Sequence, residues 1–221
     1  MSKPPVSGIG AQNANEQNEA IQHYYSTFQS KIYDLTRWGF LFGRKGIIQK
    51  LPFERDAAFR SLEIGCGTGY NMLELAKYYP NAQLTGLDVS GDMLAIAKKN
   101  TAPFKDRTTL LEKPYELGEQ AFLGQKDVVI FSYSLTMINP QWQELIRQAY
   151  QDLKPGGYVA VADFHNSPFP WFKAHMSNHH VRMDGHLVPL LKELFQPILH
   201  QENNAYLGLW KYIMFIGQKR K

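Results

Sequence analysis

Glu63, Gly65, Gly67, Gly69 and Asp88 are the residues whose types and spacing carry chemistry in this chain. The glycines alternate with Cys66 and Thr68 in a G-x-G-x-G turn, and Glu63 stands just before it. Glycine accepts positive φ and presents bare backbone, so a ligand can lie directly on such a turn. A carboxylate at the mouth of the turn repels phosphate and attracts a cation such as an ammonium or a sulfonium. Asp88 closes the run Leu84-Thr85-Gly86-Leu87. Its two oxygens can accept hydrogen bonds from the two hydroxyls of a ribose. The chemistry on offer is the gripping of a cationic nucleoside.

The elements that must position these groups follow from the pattern. The apolar run 61–64 enters the turn as the end of a strand, and a helix over 70–79 leaves it, ended at Pro80. A second strand covers 83–88, and Ser90 can cap a helix running to about residue 100. Strand, tight turn and helix open a β-α-β unit, whose helix aims unpaired N–H groups and a positive dipole end at the ligand. Dinucleotide sites space their glycines G-x-G-x-x-G to seat a pyrophosphate. The different spacing here, with Glu63 beside it, suits S-adenosylmethionine, which carries an ammonium and a sulfonium and no phosphate. Glycine turns alone are common. The conjunction with Asp88 and with Leu153-Lys154-Pro155-Gly156-Gly157 before an apolar strand is far more specific.

That set resembles the class I S-adenosylmethionine-dependent methyltransferases over residues 24–217. The resemblance implies an α/β fold: a Rossmann-like, doubly wound seven-stranded sheet with the last strand antiparallel and an N-terminal helical lid. It implies that Glu63, Gly65, Gly67 and Gly69 hold the methionine part and that Asp88 holds the ribose. Val89, Met93, Pro114, Tyr115 and Ser132 would complete the cofactor contacts. The turn Glu112-Lys113-Pro114-Tyr115 departs from the family pattern of an acid and a backbone amide at the adenine edge. Ile32-Tyr33-Asp34 with Phe42-Gly43-Arg44 resembles the N-terminal region of bacterial betaine-lipid and phosphatidylethanolamine N-methyltransferases. By that resemblance Tyr33 and Arg44 reach the cofactor carboxylate, Arg44 through its two-pronged guanidinium; a surface ion pair is the bland alternative for Arg44.

Further along, strands fall at 108–111 and 127–131, the latter apolar enough to be buried on both faces. An amphipathic helix covers 141–153 with Trp142, Leu145, Ile146, Ala149 and Tyr150 inward. Residues 154–157 turn the chain into a strand over 158–162. A last helix covers 187–195, and strands at 198–203 and 210–218 pair as an antiparallel hairpin whose final strand inserts into the sheet. Ligands of doubly wound sheets collect at carboxyl strand ends, which nominates Tyr133 and His165, with Tyr25 from the lid, as the residues that shape the acceptor pocket. A structural tyrosine bonded to backbone is the competing reading of Tyr133. The insert 166–185 is rich in histidine. His179, His180 and Asp184 are its candidate acceptor contacts, a solvated loop being the alternative. His175 and His179 share a helix face, yet without cysteine the set does not argue for a metal.

Composition bounds the rest. The chain has 221 residues, 44% hydrophobic, enough for one cored domain. The expected organisation is a disordered leader over 1–19, a helical cap over 20–56 and a cofactor-binding core over 57–221. No apolar run nears the roughly 18 residues of a membrane span, and the polar start does not read as a signal peptide. A single cysteine, Cys66, excludes an internal disulfide framework and agrees with a reducing cytoplasm. The net charge of +4 is scattered, which argues for ordinary solubility rather than a nucleic-acid partner. The Asn/Asp-Pro-Pro-aromatic motif of nucleic-acid amino-methylating enzymes is also absent. Trp, Phe and basic residues within 21–51 keep peripheral membrane contact open, below the lid reading. Three functions compete: N-methylation of an amine on a lipid head group or amino acid moiety, N-methylation of a soluble small molecule such as an imidazole or amino-acid-derived metabolite, and a non-catalytic cofactor-binding module. Both enzyme readings yield S-adenosylhomocysteine. Oligomeric state is not readable.

Overall fold

The computed structural model describes residues 41–220. The leader and most of the helical cap, with Tyr25 and Tyr33, lie outside the described residues. Of the expected cap, residues 41–56 are described: Gly43 takes φ 79° and starts the helix α1, Arg44–Gln49. Ile47 and Ile48 seat this helix in the core. Gly43 lies against the sheet so closely that an added Cβ would stand 2.7 Å from Tyr212 Cε2.

Seven strands form one sheet: β1 (Arg60–Ile64), β2 (Gln83–Asp88), β3 (Thr108–Glu112), β4 (Lys126–Ser132), β5 (Leu153–Asn166), β6 (Phe195–Ala205) and β7 (Trp210–Lys219). Their order is β3-β2-β1-β4-β5-β7-β6. The first five are parallel; β7 runs antiparallel between β5 and β6. Helices α2 (Tyr70–Tyr78), α3 (Gly91–Asn100) and α4 (Trp142–Asp152) make the crossovers, and α5 (Pro170–Ser177) and α6 (Leu187–Leu194) follow β5. This is the expected seven-stranded, doubly wound α/β architecture.

Residue alternation along the strands feeds two apolar layers. Leu62, Ile64, Val129, Phe131, Val159 and Val161 face α4 and α6. Ile130, Ala160 and Ala162 face the other way, onto α1 and α2, with Cys66, Met72 and Leu75. Gly86 is required by that second layer, since a Cβ there would lie 2.3 Å from Met72 Sδ. Trp142, Leu145, Ile146 and Ala149 of α4 are buried and Tyr150 is half-buried.

Two boundaries differ from the sequence reading. Residues 154–157 do not simply turn the chain. Leu153 already pairs with Lys126, and after a register shift the ladder resumes at Val128 and Tyr158. Gly156, at φ 79°, absorbs the irregularity. The closing hairpin is longer than 198–203 and 210–218 because β6 begins at Phe195, whose backbone is already extended at φ −119°, ψ 149°.

Candidate functional site

The carboxyl ends of β1, β2 and β4 open into residues 65–69, 89–90 and 133–136. Gly65, Gly67 and Gly69 hold φ of 69°, 54° and 76°. An added Cβ at Gly65 would stand 3.0 Å from Ser134 Cβ, and at Gly69 3.0 Å from Ala97 Cβ, so these two serve close packing as well as the turn. At Gly67 it would meet nothing within 4 Å. The bare backbone there faces open space, as a ligand resting on the turn requires. Asp88 braces the turn: its Oδ2 accepts from Gly67 N at 2.8 Å and its Oδ1 from Ser90 N at 2.9 Å. Both oxygens are thereby fixed beside the bare backbone of Gly67 at the end of β2. Ser90 caps α3 through Met93 N.

Glu63 is 2% exposed. Its Oε1 accepts from Asn71 Nδ2 at 2.7 Å. Asn71 Oδ1 in turn accepts from Arg44 Nε at 3.0 Å, and the Arg44 guanidinium lies 4.2 Å over the Tyr70 ring. The other oxygen, Oε2, is buried and has no hydrogen-bond partner among the described residues. Burial pushes the carboxyl up to about 7, against the pull of Arg44 and the Asn71 hydrogen bond, with Asp88 adding repulsion. A buried carboxylate oxygen left unsatisfied is costly, and an ammonium group would supply both the missing charge and the missing donor. The residues therefore fit a cationic amine, and two carboxylates around one turn do not fit a phosphate. Asn71 was missed from sequence. Its signal was a polar residue one position into α2, buried to 1% exposure.

Beyond β4 the chain makes a strained bend. Tyr133 takes φ 55°, packs edge-on to Phe164 at 4.8 Å and donates its hydroxyl to Phe42 O at 2.8 Å. Burial, then the nearby Asp163 charge, raises its phenol well above the ordinary range. Tyr133 thus ties residue 42 to the bend after β4, a bond to backbone as in the second of its two sequence readings. Asp163, fully buried, holds the same bend. Its Oδ1 accepts from Thr136 Oγ1 at 2.5 Å and Phe164 N at 2.8 Å, and its Oδ2 from Thr136 N at 3.3 Å. Burial pushes its carboxyl up to about 6 despite these bonds. Ser132 Oγ and Ser134 Oγ are buried there without hydrogen-bond partners among the described residues.

Met93 is buried, Val89 half-buried and Pro114 exposed. The Tyr115 side chain does not face the glycine turn. Its hydroxyl donates to Asp152 Oδ2 at 2.6 Å, next to the amino end of β5, because the ring is drawn into the core beside Phe122 and Phe131. His165 is not brought together with Tyr133. Alternation on β5 places Phe164 against Tyr133 and sends His165 to the opposite face, where its Nε2 lies 3.4 Å from Glu202 Oε1. Burial lowers its pKa. His179 and His180 are exposed, and His179 stacks edge-on with His175 at 4.9 Å. Asp184 accepts from Arg182 Nε at 2.7 Å and lies 2.5 Å from His186 Nδ1. These contacts order the insert internally. Arg182 N, donating to Thr136 O at 2.9 Å, ties it to the bend after β4. Among the described residues, no group of three or more His, Cys, Asp or Glu side chains is placed to hold a metal ion.

Comparison with known proteins places this geometry. Residues 62–159 match the family model described as a methyltransferase domain. The chain is 32% identical to the carboxy-S-adenosyl-L-methionine synthase of Trichodesmium erythraeum over 123 residues, 55% of this chain and 48% of that protein. It is 35% identical to the malonyl-[acyl-carrier protein] O-methyltransferase of Priestia megaterium over 108 residues, 49% of this chain and 38% of that protein. The chain thus spans half or less of these two relatives. Among solved structures it is similar to the Burkholderia thailandensis 1,6-didemethyltoxoflavin-N1-methyltransferase, determined with 1,6-didemethyltoxoflavin and S-adenosylhomocysteine bound. The TM-score is 0.71 over 100% of this chain and 94% of that one, at 13% identity, a likeness of fold alone. The match at residues 62–159 is to a methyltransferase domain, and the cofactor of that family is S-adenosylmethionine.

Proposed function

We propose, from the methyltransferase domain at residues 62–159, that this chain transfers a methyl group from S-adenosylmethionine to an amine nitrogen of a lipid head group or amino acid moiety. The observation that carries the methyl-donor half is Glu63 Oε2, buried and without a hydrogen-bond partner among the described residues at the mouth of a positive-φ glycine turn. When bound, the cofactor supplies a methyl group on a sulfonium that leaves as a neutral thioether. Glu63 and Asn71 hold its amino end, Arg44 screens the carboxylate, and Asp88 takes the ribose hydroxyls while keeping the Gly67 amide in place. Val89 and Met93 border the adenine, with Ser132 at the end of β4. Tyr133 and Asp163 set the bend after β4 and close the cap at Phe42, which keeps the reacting edge dry and aligned.

Two points support nitrogen as the acceptor. Tyr133 keeps its proton, its phenol raised by burial and donating to Phe42 O, and both oxygens of Asp163 already accept from Thr136 and Phe164, so neither is placed to take a proton from an acceptor hydroxyl. A neutral amine needs no base before attack: its lone pair forms the N–C bond as the S–C bond breaks, and the surplus proton leaves the nitrogen for water. The motif 42–44 with 32–34 points the same way through its resemblance to lipid-amine methyltransferases. A second reading, a soluble heteroaromatic amine, is favoured by the full-length fold likeness to the didemethyltoxoflavin enzyme.

The test is transfer of radiolabelled methyl from S-adenosylmethionine, with vesicles containing phosphatidylethanolamine in one arm and soluble amines and imidazoles in another. Label on a lipid amine is the expected result. Label only on soluble acceptors selects the second reading, and label on oxygen or carbon alone overturns the nitrogen assignment.

A further inference from the structure

His186 stands at the start of α6, and its imidazole is half satisfied. The side chain is 6% exposed. Nδ1 lies 2.5 Å from Asp184 Oδ1, and the Trp142 ring packs edge-on at 4.7 Å. Nε2 is buried and has no hydrogen-bond partner among the described residues. Asp184 is fixed in turn by Arg182 Nε at 2.7 Å. Partial burial works against its charge, yet the bonds from Arg182 and His186 hold its carboxyl below the usual range. An ionised carboxylate can only accept, so the Nδ1 proton faces Asp184 and Nε2 keeps its lone pair. A buried lone pair without a donor costs free energy. Glu63 Oε2 shows the same deficit at the glycine turn.

The pair is held on the carboxyl edge of the sheet. Asp184 bridges Asn166, the last residue of β5, and Gly185 N donates to His165 O at 2.8 Å. Just before it, Arg182 N donates to Thr136 O at 2.9 Å, in the bend after β4. Trp142 is the first residue of α4, the helix that follows that bend. His186 is therefore fixed between the carboxyl ends of β4 and β5. The same bend meets the glycine turn: an added Cβ at Gly65 would stand 3.0 Å from Ser134 Cβ. Residues 133–136 thus touch the turn on one side and the segment that carries His186 on the other.

An alkyl amine gives this arrangement a task. Such an amine keeps its proton up to about pH 10, so at neutral pH it arrives as an ammonium with no lone pair to attack a methyl group. Burial lowers the His186 pKa, Asp184 pulls it up, and Arg182 and His165 push it down. The net direction is downward, so the ring is uncharged at neutral pH and can take a proton. An alcohol is a far weaker acid and would not yield its proton to such a ring, which agrees with nitrogen as the acceptor.

We propose that His186 Nε2 takes the proton from the substrate ammonium, with Asp184 as the residue that positions the imidazole. The N–H bond breaks as Nε2 gains the proton. The freed lone pair forms the N–C bond while the S–C bond of the sulfonium breaks, and the imidazolium then gives its proton to water. The proposal rests on the amine reading above and adds the residue that makes the amine reactive.

The experiment is methyl transfer by the full chain at saturating S-adenosylmethionine, from about pH 6 to about pH 9.5. Phosphatidylethanolamine vesicles form one arm and ethanolamine the other, since both offer a primary ammonium; label in either supports the proposal and tells the lipid from the soluble source. His186→Gln should lower kcat/KM for the acceptor on the order of 100-fold near pH 7. The gap should close to a few-fold near pH 9.5, where the amine sheds its proton unaided. Asp184→Asn should move the acid limb of the profile to lower pH, and repeats the test at an exposed side chain should His186→Gln fold poorly. Affinity for S-adenosylhomocysteine should not change in either variant. A His186→Gln loss that is the same at every pH marks a structural role and overturns the proposal, as does a variant as active as wild type near pH 7. Wild type that labels neither ammonium refutes the amine reading itself, before any variant is compared.

Discussion

Replacing Glu63 by Gln should make the cofactor-free protein more stable and its cofactor binding much weaker. The carboxyl is raised from 4.5 to about 7 by burial. Between those two values the folded protein binds a proton that the unfolded chain releases, so stability falls as pH rises through this window. At pH 7.5 nearly the whole shift is felt, and at 1.36 kcal/mol per pH unit it amounts to about 3 kcal/mol. Gln keeps an oxygen for Asn71 Nδ2 and carries no charge, so it recovers up to that amount, roughly 6–12 °C in melting temperature for a chain of this size. The ammonium of the cofactor then meets no carboxylate, and loss of one partner of a buried charge pair costs at least about 2 kcal/mol, roughly thirtyfold in affinity. In wild type, binding must first remove the proton from Glu63. With the bound carboxylate ionised throughout, affinity for S-adenosylhomocysteine should fall roughly 25-fold from pH 7.5 to 5.5, with nearly one proton released on binding at the lower pH. Calorimetric titration in buffers of different ionisation enthalpy counts that proton, and thermal unfolding reads the stability. A Gln variant that melts no higher than wild type at pH 7.5 and binds the product as tightly would refute the assignment of Glu63 as the ammonium partner.

Other perturbations separate fold from function. Gly67→Ala pays only the positive-φ strain, on the order of 1–2 kcal/mol, in the free protein but should abolish product binding in calorimetry. Gly69→Ala also drives a Cβ to 3.0 Å from Ala97 and should lose clearly more stability in denaturant unfolding. Asn71→Leu removes the link between Arg44 and Glu63; the KM for S-adenosylmethionine should rise about tenfold or more while kcat changes less, as steady-state kinetics would show. Tyr133→Phe frees Phe42 O from its hydrogen bond, which should cost about 1–2 kcal/mol and speed proteolysis near residues 41–44.

The sequence by itself determined the order of strands and helices, the positive-φ turn and the two carboxylates that flank it. Those features are local: glycine spacing, apolar runs and capping residues act over a few positions. The antiparallel last strand was implied by the family resemblance, since nothing local in 198–218 says that β7 inserts between β5 and β6. What only the tertiary structure decided were the partners of side chains far apart in the chain. Asn71 joins Arg44 to Glu63 through contacts across the sheet edge. Tyr115 turns to Asp152 and away from the turn because core packing claims its ring. His165 and Tyr133, both at carboxyl strand ends, fall on opposite faces, since alternation on β5 and the bulge after Phe164 fix which way each points. Nor could spacing reveal that Phe42, Tyr206, Trp210, Phe172 and Trp171 form one row. A row of that kind depends on which loops the closed sheet brings to the same edge.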